Sequence, residues 1–247
     1  MDFLSAIAKY SDSIYLDVLL VSWIELLILA FLLLSNFRSW SPDDTSRRIL
    51  LSRRELGFAF LGLAVQVFVQ WAFDVRRANP DFATALNLTC YYFLGVLISQ
   101  AYISLLDRNF CLSNPITPPL IKWAVLVVAM WSAVILDAFG VAMPLLKNLV
   151  LITVAVFFFF DVGRWGSTFF VAFCECSVLA KDSGNVNLQK FLRATFRSSI
   201  NVISIAFLGS VLAFAPRWVQ TPLMLYGALT FFLLFRRFMA TARDAEF

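Results

Sequence analysis

The sequence predicts an all-α, polytopic transmembrane bundle of about seven spans, on three observations. Of its 247 residues, 61% are hydrophobic and 15% charged, with a mean hydropathy of +0.81, far too little polar material for a water-facing surface. The apolar residues fall in continuous stretches of about the 20 residues that cross a bilayer core as a helix, not in the short alternating segments of an outer-membrane barrel. The lysines and arginines alternate between sparse and dense connecting segments, as the positive-inside rule requires. A single integral membrane domain over residues 1–247 accounts for the whole length.

The first span is expected over Ile14–Leu34. The start, MDFLSAIAKYSDSIY, lacks a basic leader, so no cleavable signal peptide is expected and the first apolar run stays as a span. A basic segment follows, with Ser41-Pro42-Asp43-Asp44 as a turn. Thr45 or Ser46 is placed to cap a helix carrying Arg47, Arg48, Arg53 and Arg54, a cluster suited to anionic lipid headgroups. The next four spans are expected over Gly57–Phe73, Phe82–Leu106, Ile121–Phe139 and Leu146–Trp165. Lys181-Asp-Ser-Gly-Asn185 reads as a turn. Residues 186–197 then form a basic amphipathic helix, with Leu188, Phe191, Leu192 and Phe196 on one face, suited to lying on the inner membrane surface. Ser199–Ala215 and Trp218–Phe235 close the series.

With the N-terminus outside, Lys9, Arg76, Arg77, Lys147 and Arg217 lie on the outer side, and the other fifteen of the twenty lysines and arginines lie on the inner side. The C-terminus is therefore expected inside, and the chain in the cell's inner (plasma) membrane.

Several polar residues fall within these spans. Glu25 sits near the middle of the first, where an ionised carboxylate is costly. It serves there as an ion, proton or ligand-sensing group, or as a neutral carboxyl bonded to a neighbouring helix. Gly62, Gln66 and Gln70 form a stripe at spacings of four on the second span, and Asn87, Tyr91, Gly95, Ser99 and Tyr102 form another on the third. Asn201 and Ser204 resemble them on the sixth. Such stripes read as close packing with interhelical hydrogen bonds, or alternatively as the lining of a polar cavity. In FFFFDVGRWG, Asp161 and Arg164 are expected at the inner membrane boundary, where their spacing of three allows a local ion pair and Arg164 snorkels beside Trp165. Asp137, near an outer helix end, is expected in contact with solvent.

The absence of histidine excludes histidine-based triads, zinc ligation through imidazole and imidazole pH switching. Cys90, Cys111, Cys174 and Cys176 lack the spacing of a paired Cys-x-x-Cys site, so neither metal nor cofactor is expected. Asn87-Leu88-Thr89 matches a glycosylation sequon but lies inside a span. No nucleophile and base stand out as a pair, so the chain is expected not to be an enzyme.

LTCYYFLGVLISQAYISLLDRNF, FFFFDVGRWGSTFFVAF, the DSGN turn and the FLRATFR helix leading into two closing spans follow one another in a recognisable order. In this order the chain resembles the membrane-embedded N-terminal region of Bacteroidota AraC-type helix-turn-helix regulators, over about half its length. That resemblance implies a membrane part that passes a signal to a DNA-binding tail. Phe247 follows the last span by about ten residues, so the chain is expected to lack that tail, to bind no nucleic acid itself, and to act through a separate cytoplasmic effector protein. The expected role is sensory or anchoring, with the lipid bilayer as its main partner. The alternative is a transporter or channel subunit using Glu25, with Gln66, Gln70 and Asn87 as further ligand or ion candidates.

Overall fold

The computed structural model describes residues 3–35, 44–106, 116–141, 144–182 and 186–244. Among them are eight helices and no strand: α1 (Phe3–Ser35), α2 (Asp44–Ala72), the short α3 (Val75–Ala78), α4 (Pro80–Leu106), α5 (Thr117–Ala138), α6 (Pro144–Asp182), α7 (Val186–Leu212) and α8 (Arg217–Asp244). The chain is a multi-pass, all-α membrane bundle. Among the described residues six helices are long and apolar enough to cross a bilayer, and the apolar part of α7, Thr195–Val211, is shorter.

Local chemistry sets the helix ends. Pro80 opens α4 at the first helical position, where a missing N–H costs nothing. Asn79 caps the helix, its Oδ1 accepting from the N–H groups of Asp81 (3.1 Å) and Phe82 (3.0 Å). Pro118 and Pro119 lie in the first turn of α5. That helix ends on Gly140 at φ +73°, the left-handed conformation that favours glycine. The N–H groups of Gly140 and Val141 fold back onto the carbonyls of Asp137 and Leu136, closing a Schellman motif.

Six of the long helices close a ring, with contacts running in the order α1, α2, α4, α6, α7, α8 and back to α1. α5 lies outside the ring against α4 and α6. Two indoles fasten it there: Trp123 Nε1 donates to the Thr89 carbonyl (2.9 Å) and Trp131 Nε1 to Thr89 Oγ1 (3.0 Å). One apolar core joins α1, α2, α4 and α8 with parts of α6 and α7; another joins α4, α5 and α6. Outward positions remain apolar, as a lipid-facing surface requires: Phe31, Leu145, Phe160 and Trp218 are all exposed. Of the four phenylalanines from 157 to 160, Phe158 is buried and the other three face out.

Three expectations about elements need revising. The basic amphipathic helix expected over 186–197 is not a separate element. It is the first part of α7, continuous with the following span. Phe196 stacks on Phe173 of α6 at 4.6 Å between ring centroids, and Gln189 Nε2 donates to the Ala180 carbonyl (3.1 Å), which holds this segment on α6. α6 does not stop near Gly166. It runs 39 residues to Asp182, about 58 Å at the usual rise, against a hydrocarbon core of about 30 Å. Within the cluster expected at lipid headgroups, Arg53 is buried. It donates from Nε to the Leu33 carbonyl (2.8 Å) and from Nη2 to the Leu32 carbonyl (3.0 Å), satisfying the last turn of α1. Arg47 and Arg48 belong to α2, but the placement of their side chains lies outside the described residues.

Candidate functional site: a cavity inside the helix ring

At one end of the bundle, charges from distant parts of the chain meet. Lys147 at the start of α6 donates to Asp137 of α5 (2.6 Å) and to Asp81 of α4. Arg217 at the start of α8 pairs with Asp12 of α1 (3.0 Å) and with Asp74, which takes a left-handed conformation between α2 and α3. Arg76 of α3 reaches the carbonyls of Ala213 (3.0 Å) and Ala215, beyond the end of α7. Burial pushes its pKa below the ordinary arginine value. This is the end that the charge distribution assigns to the outer side. Asp137, expected in contact with solvent, is here mostly covered and ion-paired.

About 21 Å further along α6 from Lys147, fourteen residues at the helical rise, lies Asp161. The local Asp161–Arg164 pair does not form among the described residues. Asp161 accepts instead from Lys122 of α5 (2.6 Å) and from the Tyr92 hydroxyl of α4, while Arg164 is exposed. A carboxylate at this depth does better with a cation and a phenol on two neighbouring helices than with an arginine aimed away from the bundle.

Between these levels the α2 and α4 stripes meet. Gln66 Nε2 donates to Asn87 Oδ1 at 2.6 Å and Gln70 Nε2 to the same oxygen at 3.0 Å, with a longer contact to the Ala83 carbonyl (3.4 Å). All three side chains are buried, the sequon's Asn87 among them. Gln66 Oε1, Gln70 Oε1 and Asn87 Nδ2 are buried with no hydrogen-bond partner. Turning all three amides over exchanges donors for acceptors and still leaves three atoms over, so the surplus belongs to the arrangement and not to the choice of amide orientation.

Gln66 also helps to line a cavity of about 80 Å³ in the middle of the ring. Its walls come from all six ring helices and are mainly apolar: Leu26, Leu63, Leu94, Phe158, Val202 and Met224 are representative, with Ser22 and Tyr91 as further polar groups. A second cavity of about 50 Å³ shares the walls Gly95, Ile98, Val202 and Ala206, and adds Ser99, Tyr102 and Trp165. The α4 stripe is therefore divided: Asn87 bonds to α2, while Tyr91, Gly95, Ser99 and Tyr102 face the two cavities. Gly95 is required between them, since a Cβ there would lie 2.7 Å from Trp165 and 3.0 Å from Phe158.

Glu25 is not brought to this site. Ser22 and Leu26 of α1 line the cavity, whereas Glu25 is half-buried on the flank, with Oε1 covered and unpartnered. Ser204 bonds back to the Ile200 carbonyl and is exposed, so it supplies no interhelical contact. The outer ion pairs and the Asp161–Lys122–Tyr92 group escaped sequence reasoning because their partners lie far apart in the chain, with Arg217 in α8 and Asp12 in α1. Their available signal was the placement of Asp74, Asp81 and Asp137 close to helix ends. No family model, curated protein or solved structure matches this chain.

Proposed function

We propose that this multi-pass protein is a non-enzymatic sensory domain of the inner (plasma) membrane, which binds a ligand in its helix ring and acts on a cytoplasmic effector protein. The observation that carries the reading is the course of α6. It contributes Phe158 and Trp165 to the cavities and continues without a break to Asp182, on the side the charge rule assigns to the cytoplasm. A packed helix moves as a unit, so a ligand that displaces its middle displaces its end.

The test is a distance measurement between spin labels at positions 54 and 181, with and without the cavity-filling substitution Gly227→Leu. A shifted distance distribution is expected, and superimposable distributions would overturn the reading. Orientation is checked separately with reporters fused at the C-terminus: green fluorescent protein should fluoresce and alkaline phosphatase should be inactive, and the reverse pattern would place the α6 end outside.

A transporter or channel subunit is the second reading, favoured by the covered, unpartnered Glu25 Oε1 on a spanning helix. Under the sensory reading, Glu25→Gln leaves folding intact and proton or cation flux in proteoliposomes at the background of protein-free vesicles, as for the wild type. A wild-type flux that Glu25→Gln abolishes would favour transport instead.

A further inference from the structure

We propose that the larger cavity binds one compact apolar molecule of about two to four heavy atoms, a dissolved gas or a short hydrocarbon, which enters from the bilayer between α7 and α8. The inference deepens the proposed function by naming the class of ligand, and rests on it in taking the ring as the place where a ligand is sensed.

Size and polarity set the class. An apolar cavity of about 150 Å³ accepts benzene with its six carbons, so about 80 Å³ suits a molecule roughly half as large. Water is a poor occupant, since it needs about two to four polar partners. Gln66 gives it none, with Nε2 on Asn87 and Oε1 covered. Tyr91 turns ring carbons toward Gly209 in the same wall, which leaves Ser22 as the remaining polar side chain. An ion is disfavoured as well, because no charged side chain lines the cavity among the described residues.

One residue holds the void open. Gly95 and Gly209 also line it, but both are crowded: a Cβ would stand 2.7 Å from Trp165 at the first and 3.3 Å from Tyr91 at the second. At Gly227 of α8 a Cβ would meet only Phe231, at 3.8 Å, an ordinary contact. Glycine is a poor helix former and an empty interior forfeits dispersion contacts, so packing alone does not call for glycine at 227. A small apolar occupant restores those contacts. The way in is marked by exposure. Leu26 of α1 and Leu63 of α2 face the void and are buried, whereas Val202 and Ala206 of α7 and Met224 and Ala228 of α8 are half-buried. The wall is therefore thinnest toward lipid between α7 and α8, where Met224, unbranched and flexible, can swing aside. Hydrocarbon concentrates small apolar molecules relative to water, so the bilayer supplies them on that side.

Xenon is the probe, because it is apolar, compact and visible by saturation-transfer NMR. The full-length protein in detergent should show a protein-bound xenon population in exchange with the free gas. Gly227→Leu should reduce that population about tenfold or more by filling the void. Gly227→Ala adds one methyl in ordinary contact with Phe231 and should weaken binding by less. If Gly227→Leu does not fold, Gly227→Ala and Ala206→Leu carry the test, since Ala206 also lines the cavity. Cyclopropane and nitrous oxide, of about three heavy atoms each, should displace bound xenon, and cyclohexane should not. The stronger of the two displacers tells whether a short hydrocarbon or a dissolved gas is the source.

A xenon signal no greater than that of protein-free micelles overturns the inference. So does a bound population unchanged in every filling variant, or displacement by cyclohexane equal to that by cyclopropane. Bound xenon that leaves the distance between positions 54 and 181 unchanged overturns the sensory reading and leaves the site standing. A distance that shifts in Gly227→Leu, with no bound xenon in the wild type, removes the site and leaves the sensory reading standing.

Discussion

The outer end of the bundle and its midsection are both polar, and both join helices distant in sequence, yet their hydrogen-bond accounting differs. At the outer end Lys147 has two carboxylates and Arg217 has two more, while Arg76 meets two carbonyls beyond α7 through Nη2 and leaves one atom, its buried Nη1, without a partner. In the midsection three amides share one acceptor and leave three atoms over. Polar groups that serve only to fasten helices are expected to be satisfied, as Lys147 and Arg217 are. The larger surplus in the midsection lies beside the cavity in which ligand binding is proposed above.

The largest effect should come from opening the satisfied end. Lys147→Met leaves Asp81 and Asp137 facing each other without their cation. Asp137 is mostly covered and Asp81 nearly half exposed, so the loss is discounted from that of a fully buried pair to about 2–3 kcal/mol. Equilibrium unfolding in mixed micelles of rising SDS fraction measures it. Adding Asp137→Asn to Lys147→Met should recover part of the loss, and a single variant as stable as wild type would mean that these charges are held by headgroup water and not by each other.

A smaller effect is expected from Asn87→Leu. It deletes the oxygen that both glutamines use, leaving Gln66 Nε2 with no acceptor and Gln70 Nε2 with only the long contact to Ala83. One to two hydrogen bonds at this depth correspond to about 1–2 kcal/mol, measured by the same unfolding assay. A neutral result would show that the amides find equal partners elsewhere, and the comparison with the outer end would lose its basis.

How far the sequence discloses this arrangement depends on the range of the interaction. Each of the seven expected spans falls on a helix, because about 20 apolar residues make a spanning segment whatever lies around them. The stripes that carry Gln66, Gln70 and Asn87 were legible too, since spacings of four put polar groups on one helical face, but their pairing with each other was not. The fusion of 186–197 with the following span was not, because a basic amphipathic pattern is the same whether the helix lies on a bilayer or packs on α6 through Phe196 and Phe173. Arg53 and Arg76 show the same limit. Their charge alone points to headgroups, and only the fold shows them ending α1 and α7. Asp161 had a plausible partner three residues away and takes one thirty-nine residues away, since helical spacing permits a local pair without excluding a better one. The cavity was legible only as an alternative, because stripes of small and polar residues precede both packing and voids.

The smallest expected effect separates the two regions most sharply. Gln66→Leu removes the donor of a 2.6 Å hydrogen bond to Asn87, a loss. It also removes an unpartnered acceptor from the interior, a gain. Gln70 still donates to Asn87 Oδ1, so that oxygen is not abandoned. A leucine of similar length packs on the neighbouring Leu63 and Val67 of the cavity wall. With terms of about 1 kcal/mol opposing each other, the net change should fall within about 0.5 kcal/mol of wild type in the SDS unfolding assay. No substitution of Lys147 offers such a cancellation, because that side chain has no unsatisfied atom to discard with its bonds. A loss above about 1.5 kcal/mol for Gln66→Leu in lipid-stripped, ligand-free protein would show that the Oε1 is already bonded to water in the cavity. The midsection would then be as closed as the outer end.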